Sequence, residues 1–288
     1  MAIETTSATG LVALFGDPVG HSISPQIQNQ AFETLELPLR YLAFQVSKAD
    51  LPAAVSGAKA MGFVGFNVTI PHKQAMLPLV DELAPSAQNL GAVNTVRREG
   101  TKLIGYNTDG EGFVRALEDE LGVRPQGKRV LLLGAGGASR AVALTLAQMG
   151  AARIIVANRT LAHAQSLAKD LAAAGADVTA VDLSGLPRWT EEAELIVNTS
   201  PVGMYPHAEQ APLVPGELIR KDHLVCDLVY NPRPTGFLRQ AAAKGARTMD
   251  GLGMLLWQGA LACQIWTGKL PPIAPLEAAA LRALAQRR

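Results

Sequence analysis

The stretch VLLLGAGGASRAVALTLAQMG, Val130 to Gly150, decides the fold. A short apolar run, Val130 to Leu133, meets Gly134, Gly136 and Gly137, and an alanine-rich run of helical character follows and closes at Gly150. Strand, glycine turn, helix is the opening of a dinucleotide-binding unit, and that order gives the glycines their meaning. Gly134 permits the sharp turn out of the strand. Gly136 and Gly137 let backbone N–H groups approach a pyrophosphate with no Cβ in the way. The helix N-terminus adds unpaired donors and partial positive charge. Ser139 replaces the third glycine of the usual pattern and is still small enough for helix to pack on strand.

The next apolar run, Arg153 to Ala157, leads into Asn158, Arg159 and Thr160. An NAD site carries an acid roughly 20 residues after the glycines to hold the ribose 2′-hydroxyl. No acid stands there. Arg159 does, and a guanidinium suits a 2′-phosphate. The predicted cofactor is therefore NADP.

With 288 residues the chain is long enough for two domains. A net charge of +1 gives no reason to expect nucleic acid or an acidic membrane as partner. Cys226 and Cys263 lie in apolar runs and are expected to be buried thiols in a reducing cytoplasm. The first residues, MAIETTSATG, lack the features of a signal peptide, and no uninterrupted apolar run reaches the length of a membrane span. The five histidines are scattered without ligand spacing, so no metal is expected.

Ahead of the glycine turn the chain alternates strands and helices. Leu11 to Phe15 reads as a strand, and Ser24-Pro25 as a helix start, with Ser24 capping and Pro25 at the first helical position. Ser22, Ser24 and the helix N-terminus suit a carboxylate or phosphate. Tyr41 to Val46 is a second strand. A helix over Lys48 to Met61 is capped by Ser47 with Asp50 and stopped by Gly62. Phe63 to Ile70 is a third strand. Polar groups gather at its end: Asn67, Thr69, His72 and Lys73. Ligands of open α/β sheets sit beyond the carboxyl ends of strands. Gly91 to Arg97 and Leu103 to Asp109 are two short β-like runs that bring Asn94, Asn107 and Asp109 to strand ends, and Asp109 is placed as the N-cap of the next helix. Beyond the glycine turn, strands are predicted at Val178 to Val181, Leu195 to Asn198, Leu224 to Asp227 and Ala246 to Met249. Helices are predicted over Leu161 to Ala174, Gly236 to Lys244 and Met254 to Thr267, the last with Gln258 buried among apolar neighbours.

Taken together, HSISP, FNVTIPHK, GAVNT, GYNTDG, GAGGAS, NRT, NTSPVGM, DLVYNP and DGLGMLLWQGA, in this order, resemble the shikimate dehydrogenase family from about Leu11 to Thr267. The resemblance implies two α/β domains with the active site in the cleft between them. One is a discontinuous substrate domain of residues 1–110 and 251–288 with a mostly parallel sheet. The other is a Rossmann NADP-binding domain of residues 111–250. It implies NADPH-dependent reduction of 3-dehydroshikimate to shikimate by a monomer or homodimer. Carried over by position, Ser22, Ser24 and Tyr230 bind the substrate carboxylate. Thr69, Lys73, Asn94, Asp109 and Gln258 bind ring hydroxyls, and Asn67 belongs to the same substrate pocket. Gly134, Ala135, Gly136, Gly137 and Ala138 hold the pyrophosphate. Asn158, Arg159 and Thr160 hold the adenosine phosphate, and Leu228 and Gly251 line the nicotinamide. Lys73 and Asp109 are the expected catalytic pair. The ketone oxygen needs a proton and charge stabilisation. Lys73 has protons to give, and Asp109 would orient the ammonium. Whether Lys73 acts as an acid or mainly as an electrostatic anchor stays open here. So do two other readings: a quinate-oxidising relative, often with NAD, and a non-catalytic NADP-binding regulator on the same scaffold. Ser22 and Arg159 favour shikimate and NADP.

Overall fold

The computed structural model describes residues 5–286. The chain divides into two compact units, Met1–Thr108 with Leu256–Arg288, and Asp109–Leu255. The first contains β1 (Gly10–Gly16), α1 (Ser24–Thr34), β2 (Leu39–Gln45), α2 (Leu51–Ala60), β3 (Gly65–Val68), β4 (Glu82–Leu83), α3 (Pro85–Leu90), β5 (Thr95–Glu99) and β6 (Lys102–Tyr106). Its six-stranded sheet has the order β2-β1-β3-β5-β6-β4. The first three strands are parallel, β5 is antiparallel to both β3 and β6, and β4 runs parallel to β6. Phe15, Phe66, Val68, Met76 and Val96 lie in the core on one side of this sheet, with the Phe15 and Phe66 rings 5.0 Å apart.

The second unit contains α4 (Asp109–Leu121), β7 (Arg129–Leu133), α5 (Gly137–Gln148), β8 (Arg153–Ala157), α6 (Leu161–Ala173), β9 (Val178–Val181), α7 (Leu186–Glu192), β10 (Leu195–Asn198), β11 (Leu224–Asp227), α8 (Gly236–Ala243) and β12 (Arg247–Met249). Its sheet, β12-β11-β10-β7-β8-β9, is parallel throughout. Val130 to Leu133 are buried, as a strand covered by helices on both faces requires. The strand order turns back between β7 and β10, the switch point at which such sheets take their ligands. Helix α9 (Gly251–Thr267) starts in the second unit and ends in the first, and α10 (Ile273–Ala285) belongs to the first. Arg282 of α10 reaches Gln30 of α1 at 3.2 Å. No helix among the described residues is long and apolar enough to cross a membrane.

Several element ends differ from expectation, each for a local reason. Helix α1 already includes Ser24. Its N-cap is Ile23, whose carbonyl accepts from the Ile27 N–H, so Ser24 stands in the first turn rather than capping it. The capping-type contact comes from Ser22, whose hydroxyl accepts from the Ser24 N–H at 3.2 Å. The Ser47–Asp50 contact exists, with the Asp50 N–H on Ser47 Oγ at 3.3 Å. Residues 48–50 nevertheless form a turn, and α2 starts at Leu51 with Pro52 behind it. Residues 91–94 are not strand, because the preceding residues coil into α3, which ends at Gly91 in the left-handed region (φ 60°). Asp109 is the first residue of α4, inside the turn it was expected to precede, where its charge suits the helix dipole. Helix α9 starts three residues before Met254 because Asp250 accepts from the Leu252 N–H at 2.9 Å. The short elements β4, α3 and α7 carry too little periodicity to stand out in the sequence.

Candidate active site

In the first unit the polar site residues converge beyond the carboxyl ends of β1 and β3. Thr69 follows β3 directly, its N–H bonded to the Phe15 carbonyl at 2.9 Å. The chain then turns: the His72 N–H reaches the Thr69 carbonyl at 2.8 Å, and the buried His72 ring lies 2.8 Å from the Val46 carbonyl. That turn presents Lys73, which is half-buried. The Lys73 carbonyl accepts from the Val93 N–H at 2.8 Å, so the lysine backbone is tied beside Asn94.

Asn94 is buried and fixed from several sides. Its Nδ2 donates to Thr108 Oγ1 at 2.9 Å, and its Oδ1 accepts from the Thr108 N–H at 3.0 Å and the Thr95 hydroxyl at 2.8 Å. Asn67 stands behind it. Asn67 Nδ2 donates to the Asn94 carbonyl at 3.0 Å and to Thr95 Oγ1 at 2.9 Å, while its Oδ1 accepts from the Tyr41 hydroxyl at 2.7 Å. Both amide protons of Asn67 are thereby engaged inside the protein, one of them on the Asn94 backbone. Burial pushes the Tyr41 phenol well above its usual range, so it stays a neutral donor. Thr108, which Asn94 pins, is followed at once by the buried Asp109. Ser22 and Ser24 are half-buried at the start of α1. Gln258 on α9 is also half-buried, not enclosed as expected, because its face of the helix is left partly uncovered. The neighbouring Gly259 carbonyl accepts from Gln28 Nε2 at 2.9 Å, tying α9 to α1.

The second unit presents a different surface. Gly134 leaves β7 with φ 120°, a conformation that L side chains rarely adopt, and its N–H is bonded to the Ala157 carbonyl at 2.8 Å. Gly136 and Gly137 are exposed, and a Cβ on either would meet nothing within 4 Å. Ala135 and Ala138 are half-buried beside them, and the buried Ser139 bonds Thr199. At the end of β8, Asn158 Nδ2 donates to the Thr160 carbonyl at 2.9 Å, and Arg159 and Thr160 are exposed. A bare glycine turn at a helix start, with a guanidinium one strand over, fits a dinucleotide carrying a 2′-phosphate.

Leu228 and Gly251 are brought together. The Gly251 N–H reaches the Val229 carbonyl at 3.3 Å, and a Cβ on Gly251 would overlap the Leu228 carbonyl oxygen. Tyr230 is half-buried two residues on from Leu228. Beneath this segment lies Asp227, fully buried. Its Oδ1 accepts from Asn198 Nδ2 (2.9 Å) and the Val229 N–H (3.0 Å), and its Oδ2 from the Thr235 hydroxyl (2.7 Å). Burial pushes its carboxyl up to about 6, against the opposing pull of those three donors. Asn198, Asp227 and Thr235, like Thr95, Thr108 and Tyr41 in the first unit, were not singled out in the sequence. The signal is weak: Asn198, Asp227, Thr95 and Thr108 are polar residues inside NTSPVGM, DLVYNP, GAVNT and GYNTDG, while Tyr41 and Thr235 lie outside these motifs. No cluster of three or more His, Cys, Asp or Glu that could hold a metal occurs among the described residues.

Fold and site together define a two-unit α/β protein, one unit built on a doubly wound dinucleotide-binding sheet and the other on a mixed sheet with a polar strand end. Family profiles described as shikimate dehydrogenase substrate binding domain, shikimate / quinate 5-dehydrogenase and shikimate 5′-dehydrogenase C-terminal domain match residues 14–96, 117–225 and 251–281. The shikimate dehydrogenase (NADP(+)) of Methanopyrus kandleri is 46% identical over 99% of both chains. A crystal structure of a shikimate dehydrogenase in complex with NADP+ superposes with a TM-score of 0.92 at 41% identity, covering 99% of each chain. The shikimate 5-dehydrogenase of Thermus thermophilus, in complex with NADP(H) and shikimate, gives 0.86 at 41% identity, over 96% of this chain and 100% of that one. The chain belongs to the shikimate dehydrogenase family.

Proposed function

We propose that this chain catalyses the reversible, NADPH-dependent reduction of 3-dehydroshikimate to shikimate, an oxidoreductase reaction at a CH–OH group on the route to aromatic amino acids. What carries the reading is the presence in one family member of both halves the reaction needs. One is an internally fixed polar strand end carrying Lys73. The other is an open glycine turn with Arg159 one strand over.

NADPH, when bound, supplies the hydride. The chain's own residues do the rest. Gly134, Ala135, Gly136, Gly137 and Ala138 receive the pyrophosphate through backbone N–H groups, and Asn158, Arg159 and Thr160 receive the 2′-phosphate. Leu228 and Gly251, whose backbones lie together, line the nicotinamide. Ser22, Ser24 and Tyr230 bind the ring carboxylate. Thr69, Asn94 and Gln258 bind ring hydroxyls, with Asn67 holding Asn94. Lys73 places an ammonium at the ketone oxygen, where it stabilises developing negative charge and gives a proton. Asp109 orients that ammonium. The residue assignments rest on motif position and on the local geometry of each unit. The unpaired, buried thiols Cys226 and Cys263 fit a cytoplasmic enzyme, and the near-neutral chain fits a small-molecule partner rather than nucleic acid or membrane. A monomer or homodimer suffices for this chemistry.

The test is an assay of the purified chain with shikimate or quinate against NADP or NAD. Reduction of NADP that depends on shikimate and outruns the other three combinations is the expected outcome. Faster turnover of quinate with NAD would instead identify a quinate dehydrogenase. NADP binding with no turnover of either acid would identify a regulator.

A further inference from the structure

The loops that leave β10 and β11 meet in a buried polar knot. Asn198 ends β10. Its Oδ1 accepts from the Ser200 N–H at 3.1 Å and the Ser200 hydroxyl at 2.6 Å, and its carbonyl accepts from the Leu228 N–H at 2.9 Å. Asp227 ends β11 and takes donors from three different segments: Asn198, Val229 and Thr235. Thr235 in turn caps α8, accepting from the Leu238 N–H at 3.3 Å. Only a carboxylate accepts three such donors at once; an apolar side chain would leave all three buried without partners. A buried charge is costly, and a carboxyl pushed up to about 6 by that burial is still ionised at neutral pH. The feature sits directly under Leu228 and Val229, whose carbonyls meet Gly251 at the start of α9.

We propose that Asp227 is a positioning residue for hydride transfer: by binding Asn198, Val229 and Thr235 together it fixes the Leu228–Gly251 backbone surface against which the nicotinamide packs. The proposal rests on the reading of Leu228 and Gly251 as nicotinamide neighbours. Asp227 touches no ligand itself. Its effect is confined to the nicotinamide half of the cofactor, because the glycine turn after β7 and Arg159 after β8 are held by other bonds.

The test compares Asp227→Ala and Asp227→Asn with the unmodified chain, using two probes of the cofactor. Adenosine 2′,5′-bisphosphate reports the adenosine half, and the fluorescence emission of bound NADPH reports the nicotinamide half. Asp227→Ala is expected to lower kcat roughly 10- to 100-fold, the scale of a misplaced reacting group. It should leave the KM for shikimate within about two-fold, as for a group acting on the hydride step rather than on substrate binding. Bisphosphate binding stays unchanged while the emission of bound NADPH moves toward that of free cofactor. Asp227→Asn restores most of the rate and the emission, because the amide oxygen keeps two donors and the Thr235 hydroxyl turns to accept from the amide nitrogen. Unmodified kcat and emission in Asp227→Ala would overturn the proposal. So would parallel loss of bisphosphate and NADPH binding, which would mean general damage to the unit. If Asp227→Ala does not fold, Thr235→Val removes a single donor to the carboxylate. A lowered kcat with shifted emission supports the proposal there, and values equal to the unmodified chain overturn it. A chain that binds NADPH but turns over no shikimate would defeat the substrate reading, while the emission arm would still decide the role of Asp227.

Discussion

The carboxyl ends of the two sheets solve recognition in opposite ways. In the first unit the site is made of side chains, each fixed by others: Tyr41 on Asn67, Asn67 on Asn94 and Thr95, Asn94 on Thr108. In the second it is made of backbone, an uncovered turn at Gly136 and Gly137 with an exposed Arg159 one strand over. The difference follows from the ligands. A small polyol acid with several similar hydroxyls is told from its relatives only by donors and acceptors that cannot move. A pyrophosphate presents the same oxygens in every dinucleotide and needs only N–H groups and room. Under the proposed assignments, choice of acid falls to buried side chains and choice of cofactor to the exposed Arg159.

Lys73→Ala should produce the largest effect, lowering kcat about 10²–10⁴-fold, the usual range for a general acid. Shikimate KM should change much less, and steady-state kinetics decide it. Near-normal kcat would remove Lys73 from the chemistry and leave the first unit a binding site only. Asn67→Ala comes next. It strands the Tyr41 hydroxyl and takes one donor each from the Asn94 carbonyl and the Thr95 hydroxyl, which keep the Val68 N–H and Asn94 Oδ1; a buried group left unpaired costs about 1–3 kcal/mol. Denaturant unfolding should show a loss of at least that size, with weakened shikimate binding and unchanged NADP binding.

Asp227 sets a pH dependence in the second unit. Burial raises its carboxyl from the ordinary aspartate value of 3.8 to about 6 in the folded chain, so the folded state holds the proton more tightly than the unfolded one. Stability then falls as pH rises from about 4 to about 6, by up to about 3 kcal/mol. Unfolding measured across that window, with Asp227→Asn flattening this component, checks the sign. The smallest effect is expected for Arg159→Ala. A charge-assisted hydrogen bond contributes about 1.5–3 kcal/mol, so the ratio of kcat/KM for NADP over NAD should drop roughly 10- to 100-fold while stability stays within about 0.5 kcal/mol of the parent. An unchanged ratio would mean that the backbone side of the comparison chooses the cofactor without this arginine.

How much of this was legible in the sequence depends on which forces set each feature. The glycine turn, the strands Val178–Val181, Leu195–Asn198 and Leu224–Asp227, and the place of Arg159 just past a strand were readable, because short apolar runs and glycines carry local signals. Helix starts were less so. Ser24 looks like a cap, yet Ile23 takes the cap position and Ser22 makes the side-chain contact. Residue types allow both arrangements and only backbone geometry separates them. The locking partners Tyr41, Thr95 and Thr108 were invisible for another reason. Tyr41 lies 26 residues before Asn67, and its hydroxyl finds that amide only once β2, β1 and β3 are aligned. Asp227 lies inside DLVYNP, but a lone acid at a strand end does not reveal that three donors will converge on it.

The most direct test follows the hydride itself. Shikimate carrying deuterium on the carbon bearing the reacting hydroxyl is incubated with NADP and the purified chain, and the reduced cofactor is analysed by mass spectrometry. One deuterium per molecule of cofactor reduced is expected. Reduced cofactor without the label, or no reduction while NADP still binds, would contradict the proposed reaction.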